Sequence, residues 1–308
     1  MSVSAPRERQ KLHLLRPTST SSIGLRFALV ALVLGGGRAG ADESLEVIIV
    51  AGQSNAINWH SAAAVLPADP IDASIPFFHR SGAPPDRGFR QPVNASSGGQ
   101  WITLQPQEQE PYVKYERRFF GPEITLGRRL SDDGRRSIAV IKIAYFGTSL
   151  AEDWNPEAMD GSRLYGDLVA RAHVAIDQLT SAKGQPRVTG FFWMQGETDG
   201  AKAPHAEAYA KNIGALIAAV RRDFEVPDLP VVLGRVGPRP PSGYLFQDAV
   251  RRAQVAVAER DSAVAWVDTD DLPRDTDEIH LLGNGVIALG ERMAAAWLEL
   301  KGNKVPAR

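Results

Sequence analysis

Apolar positions along this chain follow two alternating patterns. Val47 to Val50, Ser137 to Ala144, Val188 to Met194, Pro230 to Leu233 and Val264 to Val267 are short runs that are apolar at most positions and rich in β-branched residues. Such runs fit strands buried on both faces of a parallel sheet. Between them, Leu164 to Leu179, Ala206 to Phe224, Tyr244 to Glu259 and Gly285 to Leu300 repeat apolar residues three and four apart, the period of one helix face. Gly121-Pro122-Glu123 opens a further helix through about Leu130, with proline at a tolerated first-turn position and Glu123 at the positive end. Strand and helix alternating in this way predict βαβ crossovers and a five-stranded parallel sheet in a three-layer α/β/α sandwich.

Two stretches break the alternation. From Trp59 to Phe120 the chain is rich in proline and glycine, with Phe89 and Trp101 among polar residues. Loops this long in compact domains are functional or disordered, and the aromatics predict a packed, substrate-shaping loop. Residues 1–41 read as an export signal: Arg26 precedes the apolar run Phe27 to Leu34, three glycines follow, and Ala39-Gly40-Ala41 supplies the small residues a signal peptidase reads before Asp42. The apolar run is shorter than the roughly 20 residues a bilayer span needs. The expectation is therefore a cleaved leader, no stable membrane insertion after its removal, and a mature domain of residues 42–308 that is periplasmic or extracellular.

Composition narrows the partners. With 44% hydrophobic and 23% charged residues the chain can bury a sizeable core. The formal net charge of -1 hides an asymmetry, because the leader holds six basic residues against Glu8 alone. Without the leader, 29 basic and 35 acidic residues remain, a net of -6. A mildly acidic body without a basic stripe argues against nucleic acid as a partner. The absence of cysteine excludes disulfides, thiolate metal sites and cysteine nucleophiles.

Polar residues gather where predicted strands end, which is where open α/β sheets bind ligands. Ser54 follows Gly52 at the end of the first strand, where a serine is a candidate nucleophile or simply a helix cap. Tyr145-Phe146-Gly147-Thr148-Ser149-Leu150 follows the second strand and Gln195-Gly196-Glu197-Thr198-Asp199 the third. Beyond the fifth comes an acidic loop ending Asp277-Glu278-Ile279-His280. A serine hydrolase needs a base for the hydroxyl and an acid to orient that base, and the order Ser, Asp, His suits an α/β scaffold. His13, His60, His79, His173 and His205 have weaker cases, by their places in the leader, loops or helices. Candidate donors for an oxyanion are the N–H groups of Ser54 and Gly147 and the amide of Gln195, the last of which could instead bond neighbouring backbone at its strand end. Glu197 and Asp199 could form a general-acid pair as in glycosidases, but their closeness in sequence suits support of neighbouring groups better, since paired catalytic carboxylates usually face each other across a cleft.

Gly52-Gln53-Ser54-Asn55, Gly147-Thr148-Ser149-Leu150 with Trp154, Trp193 to Asp199, and Asp277-Glu278-Ile279-His280 together resemble the sialate O-acetylesterase domain. That domain is also called carbohydrate esterase family 6, the acetylxylan esterase group of the SGNH-hydrolase superfamily. Trp101 and Gly121-Pro122-Glu123 are similar to the intervening segment of the family. The resemblance runs from Val47 to Trp297 and implies a flavodoxin-like SGNH-hydrolase fold. It implies Ser54 as nucleophile, His280 as base, Asp277 as its orienting partner, and Ser54, Gly147 and Gln195 as the oxyanion hole. Phe146 departs from the family pattern, which often has a second glycine there. The implied activity is a carbohydrate O-acetylesterase that removes acetyl groups from acetylxylan, sialic acid or a related glycan through an acetyl-enzyme. Trp59, Trp101 and Trp154 are candidates for stacking on sugar rings or for the core, and Glu197 is a candidate substrate contact. No cofactor and no metal are expected; the acidic run Asp268 to Asp277 lacks the spacing of a calcium-binding EF-hand loop. The competing readings are an exported carbohydrate-binding protein without chemistry, and an SGNH lipase or thioesterase, against which stands the lack of a long apolar lid.

Overall fold

A computed structural model of the chain describes residues 45–84, 95–109, 116–131, 136–157, 163–183, 185–240 and 243–302. The expected leader and Phe89 lie outside these residues. Strand β1 (Glu46–Gly52) runs into the short helix α1 (Ser54–Ile57). Five strands follow: β2 (Pro76–Gly82), β3 (Ala95–Ser96), β4 (Ile102–Thr103), β5 (Gln107–Glu108) and β6 (Arg118–Phe119). The chain then alternates through α2 (Glu123–Ser131), β7 (Ile138–Tyr145), α3 (Arg163–Lys183), β8 (Arg187–Met194), α4 (Glu197–Gly200) and α5 (Ala203–Asp223). It ends with β9 (Val231–Gly234), α6 (Gln247–Arg260), β10 (Val264–Val267) and α7 (Gly283–Gly302).

The sheet has the order β10-β9-β8-β1-β7-β2-β3, parallel from β10 to β2, with β3 and β4 antiparallel to β2. All five expected strands and the covering helices are present, so the α/β fold with a mostly parallel sheet stands. The strand count needs correcting, because β2 is a sixth parallel strand inside the stretch read as irregular. Its sequence, PFFHRSG, turns polar after two phenylalanines although most of it is buried. Those polar groups are bonded within the fold: Arg80 Nε donates to the Tyr145 hydroxyl (3.1 Å) and Ser81 Oγ to Gln107 Oε1 (2.6 Å). A strand satisfied this way leaves no apolar run to read.

The central strand shows why its residues are apolar without alternation. Val47, Ile49 and Ala51 join a core with Leu168 of α3 and Leu216 of α5, while Ile48 and Val50 join one with Ile124 of α2 and Leu289 of α7. Both faces are therefore dry. At its end β1 crowds β8: a side chain on Gly52, at φ 140°, would meet the carbonyl oxygen of Met194 at 2.0 Å. Gln53 N–H donates to that oxygen (2.9 Å), so the turn into α1 is anchored on β8.

Beneath α1 lies a fully buried ion pair. Lys142 Nζ of β7 donates to Glu123 Oε2 of α2 (2.8 Å) and to the carbonyl of Ile57, the last residue of α1 (3.2 Å). Glu123 Oε1 accepts from Gln107 Nε2 (2.9 Å) and Gly121 N–H (3.0 Å). Burial pushes the Lys142 ammonium below its usual range, and the Glu123 carboxylate pulls it back up.

Candidate active site

Ser54 is the first residue of α1, almost buried at the carboxyl end of the central strand. The N–H groups that open a helix have no carbonyl one turn back, so the Ser54 N–H is placed as a donor for a ligand. Asn55, beside it, is the hinge of the site. Its amide donates to Glu197 Oε1 (2.7 Å) and to the carbonyl of Ile279 (3.0 Å), and its oxygen accepts from Leu281 N–H (3.0 Å). The peptides on either side of His280 are thus both tied to the residue that follows Ser54. Asn58, the left-handed cap of α1 at φ 59°, adds a bond from its amide to the carbonyl of Leu281 (2.9 Å).

His280 is oriented by Asp277. Nδ1 lies 2.6 Å from Asp277 Oδ2, and Asp277 Oδ1 accepts the N–H groups of Ile279 and His280, each at 2.9 Å. A carboxylate only accepts, so Nδ1 carries the proton and Nε2 of the neutral ring is the base. Burial would raise the Asp277 pKa, but the hydrogen bonds from the His280 ring and the two backbone N–H groups hold it at about 2. Among the described residues Ser54 and His280 share no hydrogen bond; the hydroxyl and the imidazole are carried by segments clamped together through Asn55.

The other two loops are knitted to each other. Asp199 accepts Leu150 N–H (2.8 Å) and Ala151 N–H (3.0 Å), and Gln195 Nε2 donates to Asp199 Oδ2 (2.5 Å) and to the carbonyl of Thr148 (3.0 Å). Gly147 lies exposed at the apex of this loop with φ 64°.

These bonds correct several expected roles. Gln195 is fully buried with both amide hydrogens given to Thr148 and Asp199, so none is left for an oxyanion. Glu197 is buried against Asn55 and faces the protein, not a substrate; burial pushes its carboxyl pKa up. Trp154 is fully buried, its indole donating to Thr148 Oγ1 (2.8 Å) and its ring edge-on to Trp193. Trp59 is 4% exposed and packs edge-on against Phe146. Trp101 donates to the carbonyl of Ala175 in α3 (2.9 Å) and lies against Phe78. Trp59 and Trp154 thus offer no free face for a sugar, while Trp101 is part-exposed with its indole N–H already bonded.

The structure adds residues that were not singled out. His60 stacks on His280, with ring centroids 4.4 Å apart and planes 7° apart, and its Nδ1 lies 2.7 Å from Asp275 Oδ2. Tyr244 stands part-exposed at the rim at φ 48°, where Glu197 and Asp277 add to burial in raising its phenol pKa. The sequence signals for these were faint: a second aspartate two residues before Asp277, and a histidine six residues after Ser54. His60, Asp277 and His280 each bring one ligand atom within 4.8 Å of the others, the grouping among the described residues that comes nearest to a metal site. A metal bonded to an imidazole lies in the plane of that ring. The planes of rings stacked at 7° meet only far beyond bonding distance of either nitrogen, so this arrangement does not bind one ion through both.

The family model for "Carbohydrate esterase, sialic acid-specific acetylesterase" matches residues 44–299. A curated relative from Arabidopsis thaliana, "Probable carbohydrate esterase At4g34215", is 32% identical over 161 residues, 52% of this chain and 55% of the relative. The match thus spans about half the length of that relative. The X-ray structure of the Arabidopsis thaliana protein AT4G34215 superposes with a TM-score of 0.59 at 22% identity, over 83% of this chain and 98% of that one. NanS gives a TM-score of 0.58 at 16% identity, over 85% and 99% of the two chains. XAC1771, a carbohydrate acetylesterase from Xanthomonas citri, gives 0.56 at 18%, over 84% and 57%. At these identities the structures speak for a shared fold. Matched over most of its length by the family model, the chain belongs to the carbohydrate esterase, sialic acid-specific acetylesterase family.

Proposed function

We propose that this protein is a serine esterase that removes O-acetyl groups from carbohydrate through an acetyl-enzyme intermediate. The observation that carries the reading is the seat of His280: paired with Asp277 at 2.6 Å and bound on both flanks by Asn55, next to Ser54. Ser54 Oγ attacks the acetyl carbonyl carbon as its proton passes to Nε2 of His280. The oxyanion that forms rests on the N–H groups of Ser54 and Gly147. When the carbon–oxygen bond to the sugar breaks, His280 returns the proton to the departing hydroxyl and the acetyl group stays on Ser54. Water gives its proton to His280, attacks the acetyl ester and releases acetate, and Ser54 regains a proton. Catalytic hydrogen bonds are often long before substrate binds, so the Ser54–His280 contact closes as the acetyl group seats.

Acetylated xylan, sialic acids and related glycans are the substrate class, supported by the family and by the carbohydrate acetylesterases that share the fold. Export through the leader suits that class, since such glycans lie outside the cytoplasm. Among the described residues no helix is long and apolar enough to cross a membrane. Purified protein is expected to release acetate from acetylated xylan, O-acetylated sialic acid or p-nitrophenyl acetate and to be labelled by a fluorophosphonate. Ser54→Ala should lower kcat/KM at least about 10³-fold with thermal unfolding unchanged. Full activity in that variant would remove Ser54 from the reaction, and an unlabelled, inactive wild type would favour a carbohydrate-binding protein.

A further inference from the structure

The rim of the site holds a second imidazole–carboxylate pair that the reaction above leaves unused. His60 Nδ1 meets Asp275 Oδ2 at 2.7 Å, as His280 Nδ1 meets Asp277 Oδ2 at 2.6 Å. The two carboxylates stand two residues apart on one loop, and the two rings lie face to face at 4.4 Å. The pairs interlock through the backbone as well. Asp275 N–H donates to the carbonyl of His280 (2.8 Å), and His60 N–H donates to Asn58 Oδ1 (3.2 Å), whose amide holds Leu281. The His60 side chain is 13% exposed and that of His280 23%, so His60 is the more buried ring and backs one face of the more exposed His280.

We propose that His60, held by Asp275, is a positioning residue for His280: it is the flat wall that fixes the plane of the catalytic ring, and turnover requires it neutral. The proposal rests on the esterase reading. One hydrogen bond to Asp277 fixes Nδ1 but leaves the ring free to tilt about that contact. A parallel ring at van der Waals distance removes the tilt and holds Nε2 on its line toward the serine. A misplacement of about 1 Å at such a centre costs on the order of 100-fold in rate, so the wall has a large effect to guard. Neutrality matters because His280 becomes a cation each time it takes the serine's proton, and two cationic rings at 4.4 Å repel. Burial, and after it the charge on His280, lower the His60 pKa, against the raising effects of the Asp275 hydrogen bond, Asp277 and the Asp275 charge. The groups facing His60 from the 275–281 loop are Asp275, Asp277 and His280; the segment leading into β6 brings Glu116, whose N–H meets the carbonyl of Trp59. The helix α1 and its exit present only neutral side chains, Ser54, Asn55 and Asn58.

Full-length wild type, His60→Ala, His60→Phe and Asp275→Asn would be compared on p-nitrophenyl acetate from pH 4.5 to 9, with fluorophosphonate labelling and thermal unfolding alongside. His60→Ala is expected to lower kcat about 10- to 100-fold with KM changed less than about threefold. His60→Phe, which restores a flat ring, should recover about tenfold of that loss. Asp275→Asn should fall between wild type and His60→Ala. On the acid side, log(kcat/KM) of wild type should steepen toward two protons as both rings charge, while His60→Phe stays at one. If His60→Ala does not fold, the steepness of His60→Phe decides. A His60→Ala enzyme within twofold of wild type, or a His60→Phe acid limb as steep as wild type, overturns the proposal and leaves the esterase reading intact. A wild type that neither releases acetate nor takes the fluorophosphonate overturns the esterase reading, and this one with it.

Discussion

Asp277 and Asn55 do different jobs for the same imidazole. Held at about 2, the Asp277 carboxylate stays charged across the working range of a hydrolase, so it orients His280 without adding its own acid limb. Asp277→Asn should lower kcat by about 10²- to 10⁴-fold, measured on p-nitrophenyl acetate, because the amide no longer selects the Nδ1–H tautomer. Asn55 spends both amide hydrogens and its oxygen on Glu197, Ile279 and Leu281. Asn55→Asp would replace two donated hydrogens with a carboxylate facing Glu197 and a carbonyl. The expected loss is about 2–4 kcal/mol of stability, read by urea unfolding, and about 100-fold in kcat/KM. Tyr244 is an aromatic that the fold leaves part-exposed beside Glu197 and Asp277, so Tyr244→Ala should raise KM for an acetylated oligosaccharide about tenfold while p-nitrophenyl acetate is spared. At this scale the types of residue that do chemistry were readable, but their availability was not. Nothing local in Trp193-Met194-Gln195-Gly196 says that the Gln195 amide is consumed by Thr148 and Asp199, or that Trp154 is walled in by Trp193.

Among the elements, α1 matters most and is least able to stand alone. Four residues long, it makes hardly more than one turn of its own, and isolated helices so short do not form. Its place is set by its surroundings: Gln53 on Met194 at one end, Lys142 on the Ile57 carbonyl at the other. Lys142→Met would leave Glu123 buried and charged with its cation gone, which costs about 3–5 kcal/mol. Adding Glu123→Leu to that variant should recover part of the loss, and denaturant unfolding of the four proteins in the cycle measures the coupling. The long helices and the five main strands were legible because their periods repeat over many residues. β2 was not, since its buried polar side chains interrupt the apolar run and find partners on Gln107 and Tyr145.

For the whole molecule, acid tolerance is limited by a histidine with no part in the proposed chemistry. His79 of β2 is pulled down to about 3, first by burial and then by the charge of Lys142, against a backbone hydrogen bond at Ala95. Between pH 6.5 and 3 the unfolded chain binds a proton that the folded one refuses, so stability falls as the pH falls. By pH 4 that single group removes about 3 kcal/mol. His79→Phe should therefore lose less stability than wild type between pH 7 and 4 in urea titrations, with Phe77 still packed beside the new ring. A variant that tracks wild type over that range would show that other groups set the acid limit.

The sequence by itself determined the alternation of strands and helices, the parallel sheet, and which kinds of side chain collect at its carboxyl edge. These are local matters, set by apolar spacing of two, three or four residues and by glycine and proline at the turns. Tertiary structure decided which of the collected groups are spent on holding the loops together and which are left to face a substrate. Asn55 meets Glu197 across 142 residues of chain and Leu281 across 226, and the stacking of His60 on His280 is just as remote. No periodicity reaches that far; a polar group's partner is known only once the sheet has brought residues 55–60 and 275–281 to one edge.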